Sequence, residues 1–388
     1  MSSVLLTFLG RVPKDQNGYR VTRYDFGDGA PTAPSAFFGW PLQRRLGARR
    51  MVIMGTSGSM WDHLFEGDLP FGRKGEEARL ALVEAVQEMA VTPEHLRPLT
   101  PLLAERLGCE VWLEIIPYAR DAAEQVELLR LMAAHVAAGD EVHLDVTHGF
   151  RHLPMLGVLS ALHLRIVRQA QIAGIWYGAY DPDTGEAPVH NLVGLLSIAD
   201  WLQALHTYDK DGDYGVFAEL LGPGSRLLRE AAFFERTSNS TKAREALGGW
   251  FSREDRYPPR DAAAELFRGD LEQRLTWIKG QDRAKWENNL AWQYLERGDY
   301  LRAAIFGLES AVSAETRRAA GDINNWDDRD VARETLSQQE DFRLLKNIRN
   351  GLAHGVLPKD NRITRILVDQ NRLEVELRRL FNKLGIKH

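Results

Sequence analysis

The apolar periodicity of this chain changes once, and that change limits the folds open to it. Up to Tyr177, short continuous apolar runs alternate with amphipathic stretches; from Val216 onward almost only the helical period remains. Val4–Leu9, Met51–Met54, Glu110–Ile116, Glu141–Val146 and Ile172–Tyr177 read as buried strands bounded by Gly, Pro or polar turn residues. Glu76–Ala90, Asp121–Ala138 and Pro154–Arg168 read as helices between them, the last opening on a proline suited to a first turn. This alternation predicts a mostly parallel sheet covered on both faces, with ligands met at the C-terminal ends of its strands. Asp181–Pro188 reads as a turn-rich hairpin loop and Leu192–His206 as a helix. Thr207–Gly215, with Asp209, Asp211, Asp213 and two glycines, reads as a boundary. The expected organisation is an α/β domain over 1–206 and an all-helical domain over 207–388.

Composition narrows the function. The 388 residues are 44% hydrophobic and 27% charged, the balance of a soluble globular protein. A formal charge of -5 argues against a protein that coats nucleic acid through bulk positive charge. That average hides an asymmetry: residues 341–388 hold 11 basic and 5 acidic side chains, against 38 basic and 49 acidic before them. No apolar run approaches the roughly 18 residues of a membrane span. The single cysteine, Cys109, excludes an internal disulfide and a multi-cysteine zinc site, so a reducing cytoplasm is expected. Arg outnumbers Lys by 39 to 10, an excess spread along the whole chain and best read as genomic base composition.

Three strand ends carry residues capable of chemistry. The first strand runs into Gly10-Arg11, and the second into Gly55-Thr56-Ser57-Gly58-Ser59, where small residues let backbone amides approach an anion. That loop is neither a Walker loop nor a dinucleotide fingerprint. The fourth strand gives His143-Leu144-Asp145-Val146-Thr147-His148-Gly149-Phe150-Arg151-His152, which places Thr147, His148, Gly149 and Arg151 where an open sheet presents a ligand. An anionic or nucleotide ligand is the favoured reading. A metal on His143, Asp145, His148 and His152 and a purely structural role are the alternatives, although no zinc spacing matches and Arg151 disfavours a cation.

In the helical half, Arg349-Asn350-Gly351-Leu352-Ala353-His354-Gly355 sets Arg349 and His354 in an R-x-x-x-x-H relation. The spacing alone is common, and Arg130–His135 repeats it inside an amphipathic helix. Gly351 and Gly355 place His354 at a helix end. On an ideal helix the two side chains diverge by about 140°, so a compact site requires distortion or a second subunit. Arg can hold a phosphodiester oxygen, and His can move a proton near neutrality. With RNA, the 2′-OH can attack its own phosphate without a metal, whereas DNA lacks that nucleophile.

Together these elements resemble the CRISPR-associated CARF–HEPN ribonucleases of type III systems. Phe8-Leu9-Gly10, the Gly55–Ser59 loop, Asp145-Val146-Thr147-His148-Gly149-Phe150-Arg151 and Trp176-Tyr177-Gly178-Ala179 resemble the Rossmann-like CARF sensor; Arg349, Asn350 and His354 resemble the HEPN motif. The resemblance implies a homodimer or higher even oligomer, and Arg349, His354 and supporting Asn350 cutting single-stranded RNA. It also implies activation by cyclic oligoadenylate, cyclic tetra-adenylate favoured over hexa-adenylate. Gly10, Arg11, Thr56, Ser57, Gly58, Ser59, Thr147, His148, Gly149 and Arg151 would hold the activator. No metal, membrane or DNA cleavage is expected. The polar insertion Arg11–Gly18 departs from the family's shorter, Gly-rich connections. The alternative readings are a non-catalytic nucleotide sensor and, less favoured, a metal hydrolase at His143, Asp145 and His148.

Overall fold

The computed structural model describes residues 2–16, 18–67, 69, 71–149, 152–222, 225–258, 261–355 and 359–388. The chain divides into two compact units, 1–197 and 198–388. The first holds nine strands: β1 (Ser3–Leu9), β2 (Lys14–Asp15), β3 (Gly18–Tyr19), β4 (Arg23–Asp25), β5 (Arg50–Gly55), β6 (Glu110–Ile115), β7 (Glu141–Asp145), β8 (Gln171–Gly178) and β9 (Glu186–Asn191). Seven of these make one sheet in the order β4-β9-β8-β7-β1-β5-β6, and β2 and β3 form a separate hairpin. The five strands from β8 to β6 are mutually parallel, β9 runs antiparallel to β8, and β4 is parallel to β9.

The alternation within β1 shows why the sheet is two-faced. Leu5 and Leu9 pack with Met51, Ile53, Phe37, Phe38 and Trp40 on one side; Val4, Leu6 and Phe8 pack with Val52, Met54, Val142 and Leu144 on the other. The helices Glu76–Gln87, Ala122–Ala134 and Leu153–Val167 form close to their expected positions. The strands β4 and β9 had no alternating run to announce them. They exist because β8 turns at Asp181–Gly185 and pairs back on itself through Gly178↔Val189.

The division between units falls at 197/198 rather than 206/207. The polar stretch from Thr207 to Asp211 does not end an element; it completes the helix Gly194–Asp211. Trp201, Ala204, Leu205 and Tyr208 recur at helical spacing on that helix and are buried in the second unit's core. The aspartates occupy its exposed face, so polarity there marks solvent and not a linker.

The second unit is helical throughout its described residues, with short 3-10 turns. Its helix starts follow from local chemistry. Asn239, Asp261, Asp282, Asp299, Asn325, Asp360 and Asp369 each accept from amides of the turn they open. Arg283–Glu296 and Tyr300–Arg318 form a helix pair across Gly298-Asp299. Glu287 is buried between them and accepts from Ser240 Oγ at 2.7 Å, Ser313 Oγ at 2.6 Å and Arg283 Nε at 2.8 Å. Among the described residues no helix is long and apolar enough to cross a membrane.

Asp145 links fold to site. It is fully buried at the end of β7, beside Thr7 of β1 in register. Thr7 Oγ1 donates to its Oδ2 at 2.6 Å and the Thr147 amide to its Oδ1 at 2.8 Å. Burial pushes the carboxyl up to about 6, partly offset by those hydrogen bonds. The folded state therefore binds this proton more tightly than the unfolded chain. The associated stability is fully present below pH about 4 and is lost as pH rises through about 6, worth about 3 kcal/mol at most. The difference in urea unfolding free energy between wild type and Asp145→Asn should change by this order between pH 4.5 and pH 7. A pH-independent difference would contradict it.

Candidate functional site

The sheet order places a topological switch at β1. The chain leaves β1 for β5 and β6 on one side, then returns to β7 and β8 on the other. Connections diverge there and leave a crevice beyond the C-terminal ends of β1 and β7. Two glycines let the loops meet. A Cβ on Gly10 would lie 2.5 Å from the Gly149 backbone nitrogen, closer than any real contact. Gly149 itself has φ 113°, a conformation that side chains resist. The Gly10 carbonyl also accepts from the Met60 amide at 3.0 Å, tying the β5 loop to the other two.

The Thr147–Gly149 segment is aimed by its backbone partners. Asp145 holds the Thr147 amide, and the Gly178 amide donates to Thr147 Oγ1 at 2.9 Å, joining β7 to β8 at the crevice floor. His148 packs against Phe37, and its Nε2 accepts from the Phe38 amide at 3.0 Å. Burial, and secondarily nearby His63, hold this imidazole down to about 4. His148 is thus neutral at physiological pH with its proton on Nδ1, and it can donate one hydrogen bond but no charge.

The Gly55–Ser59 loop is more closed than its composition suggests. Thr56 and Ser59 are buried, and the Thr56 amide donates to Ser59 Oγ at 2.9 Å while the Ser59 amide donates to the Thr56 carbonyl at 3.0 Å. Trp61 Nε1 donates to that same carbonyl at 2.9 Å. Ser57 and Gly58 are the more accessible members, and Ser57 Oγ lies 3.3 Å from the Tyr118 hydroxyl.

Two cavities open along the strand ends. The larger, about 500 Å³, includes Arg11, Arg20, Thr22, Tyr24, Thr147, His148, Gly149, Tyr177 and Tyr180 in its wall. The smaller, about 290 Å³, is lined by Leu9, Gly10, Arg11, Thr56, Gly58, Ser59, Met89, Tyr118 and Gly149 among others. Arg11 and Gly149 belong to both, so they stand on the ridge between a polar chamber and a more apolar one. Of the expected ligand residues, Gly10, Arg11, Thr56, Gly58, Ser59, Thr147, His148 and Gly149 line these chambers, and Ser57 does not. Arg151 and Phe150 lie outside the described residues.

Sequence reading missed Arg20, Thr22, Tyr118 and Tyr180 as wall residues. For Arg20 and Thr22 the signal was the polar stretch after β1, which folds into the β2–β3 hairpin; Tyr118 and Tyr180 follow β6 and β8. Tyr19 hydroxyl donates to Asp62 Oδ1 at 2.9 Å on one side of the hairpin, and Arg20 stacks 4.0 Å over the Tyr180 ring on the other. The insertion thereby supplies the polar chamber with a second arginine.

The four residues of the metal alternative are not brought together. His143 Nδ1 accepts from Trp176 Nε1 at 3.3 Å, Asp145 bridges Thr7 and Thr147, His148 turns to Phe38, and His152 Nε2 meets the Tyr118 carbonyl at 3.0 Å. These four residues engage different partners. Among the described residues no three His, Cys, Asp or Glu side chains gather to hold a metal ion.

In the helical unit, Arg349, Asn350 and His354 lie on the last turns of the helix Glu340–His354. Phe342, Leu345 and Ile348 bury one face, leaving Arg349 and Asn350 half-buried and His354 exposed at the terminus. Gly355 ends the helix with φ 65°. Gly351 has a packing role beyond helix weakening: a Cβ there would meet Leu367 Cδ1 at 2.4 Å. Among the described residues Arg349 Nε is buried with no acceptor.

Residues 4–181 match the family model described as "CRISPR system endoribonuclease Csx1, CARF domain". Through that match the first unit is similar to a CARF domain, and the chain resembles CRISPR-associated proteins. Over 225 residues it is 24% identical to a CRISPR-associated protein of Methanocaldococcus jannaschii, covering 52% of this chain and 35% of that relative. The chain thus spans about a third of the length of this curated relative. The CARF match takes in the Gly10, Gly55–Ser59 and Asp145–Gly149 loops and ends at Asp181, so both chambers fall within it.

In this first unit, Gly10→Ala should separate the β1 and β7 loops, because its new methyl meets backbone and not a flexible side chain. The expected cost is about 1–3 kcal/mol of stability, read as a lower thermal midpoint. An unchanged midpoint would show that the loops are not in enforced contact.

Proposed function

We propose that this CARF-like protein is a cyclic-oligoadenylate-activated, metal-independent endoribonuclease that cleaves single-stranded RNA as a dimer. The observation that carries the reading is one chain pairing a CARF-like domain, hollowed at its strand ends, with an R-N-G-L-A-H segment that ends a helix of the second unit. We read that second unit as a HEPN domain.

The chambers suit a nucleotide ring. Arg11 and Arg20 offer fixed cations to phosphates; Thr147 and the neutral His148 offer hydrogen bonds; Tyr177, Tyr180 and the apolar wall of the smaller chamber offer surfaces for bases. Cyclic tetra-adenylate is the ring we favour. Dimerisation is supported by the first unit's helix Leu153–Val167, which exposes Met155, Leu159 and Ile166 with half-buried Leu162 at 4-3-4 spacing. A second copy is the occupant that a symmetric ligand and a two-pair cleavage site both require.

In the reaction, the ribose 2′-oxygen attacks the adjacent phosphorus, and the bond from phosphorus to the 5′-oxygen breaks in line. His354 moves the proton, taking it from the 2′-OH in one subunit or giving it to the departing 5′-oxygen in the other. Arg349 holds a non-bridging oxygen as charge grows at phosphorus, and Asn350 supports the turn that presents them. The products are a 2′,3′-cyclic phosphate and a 5′-hydroxyl.

Labelled RNA incubated in EDTA with cyclic tetra- or hexa-adenylate should be cut by wild type, and His354→Ala should lose a factor of about 10² to 10⁴ in rate. A deoxy version of the same strand should remain intact. Equal cleavage by His354→Ala would overturn the catalytic assignment, and ring binding without cleavage under any condition would favour a non-catalytic sensor.

A further inference from the structure

The helices Asn361–Leu367 and Gln370–Lys383 enclose an open concavity of about 490 Å³ that takes no part in the site described above. Its wall contains Arg362, Arg365, Arg372 and Arg379 against one acidic residue, Glu376. Glu340, Asp341, Asp369 and Glu376 pair with three of these four guanidiniums, so among the described residues the unneutralised positive charge here is that of Arg365.

The four arginines are not equivalent. Arg379 is held by Asp341 and Glu376, each at 2.9 Å, and Arg362 by Glu340 at 2.8 Å. Those carboxylates orient two guanidinium planes while leaving further N–H donors free, since each guanidinium carries five. Among the described residues Arg372 pairs with the neighbouring Asp369 alone, at 3.3 Å. Arg365 is exposed and forms no ion pair among the described residues. Between them lie buried Ile366 and Val375, the latter 66% exposed, an apolar strip inside a rim of guanidiniums.

A duplex would present only phosphates to this surface and leave the apolar strip uncovered. A single strand offers both backbone phosphates for the arginines and base faces for the strip and the guanidinium planes. We infer that this concavity is a binding groove for the backbone of single-stranded RNA, separate from the Arg349–His354 motif. It anchors substrate without taking part in bond breaking. The inference rests on the nuclease reading for its choice of RNA, and its test separates the two.

The test uses the full chain carrying His354→Ala, so that the probe survives, and a fluorescein-labelled single-stranded RNA of about 20 nucleotides titrated across a range of KCl. Replacing Arg365 and Arg372 by Gln should weaken binding about tenfold or more at 0.1 M KCl. It should also make the plot of log affinity against log salt shallower by about 1.4, since each single-strand phosphate contact contributes about 0.7. Arg365→Gln alone, which breaks no ion pair, should give half that change in slope and preserve the thermal midpoint. With His354 restored, the double variant should raise KM and leave kcat near wild type. Unchanged affinity and slope would overturn the groove even if the wild type cleaves RNA. Displacement of the RNA by poly-glutamate at equal charge concentration would also overturn it, in favour of an acidic protein partner. Loss of binding in the variants of a protein that never cleaves would keep the groove and remove the nuclease reading.

Discussion

The crevice of the first unit depends on one buried carboxylate. Asp145 sits where β1 and β7 part, taking a hydroxyl from one strand and the amide of the next loop from the other. Its two oxygens thereby convert the pairing of parallel strands into the direction of a loop. Thr147, so aimed, receives the Gly178 amide, and the β8 end is drawn to the same point. Removing this carboxylate from water is costly, which is why its proton is held up to about 6. The cost is borne at a place that shapes a ligand site, where local strain and buried polarity commonly concentrate.

Contact enforced by glycine completes the arrangement. Gly10 and Gly149 let two backbones approach to a distance no side chain would permit. The chambers are therefore divided by backbone and by Arg11, and their walls come from rigid strand ends. The β2–β3 hairpin adds what the strand ends lack: Arg20, stacked on Tyr180, beyond the residues of the parallel strands.

Much of this was legible in the sequence, for identifiable reasons. The apolar runs of β1 and β5 read as strands buried on both faces, β7 adds Val142 and Leu144 at alternate positions, and the helices between them carry their own period. His354 at a helix end was readable from Gly355. What remained hidden depended on partners distant in sequence. Thr56 and Ser59 sit in a loop that reads as open to an anion, yet the fold sets their hydroxyls 3.3 Å apart and gives Ser59 Oγ the Thr56 amide. His148 reads in sequence as a ligand group, and nothing there shows that the Phe38 amide claims its Nε2. The polar stretch from Thr207 read as a linker because aspartates on the exposed face of a helix have the same composition as one.

In the proposed function, a ring bound at the strand ends turns on RNA cleavage by the helical unit. Its most direct test is the initial rate of single-stranded RNA cleavage by the full chain as cyclic tetra-adenylate is titrated, with cyclic hexa-adenylate in parallel and product ends identified. Cleavage should be negligible without a ring, rise saturably with cyclic tetra-adenylate, and leave 2′,3′-cyclic phosphate ends. A rate that neither ring alters would contradict the proposed activation.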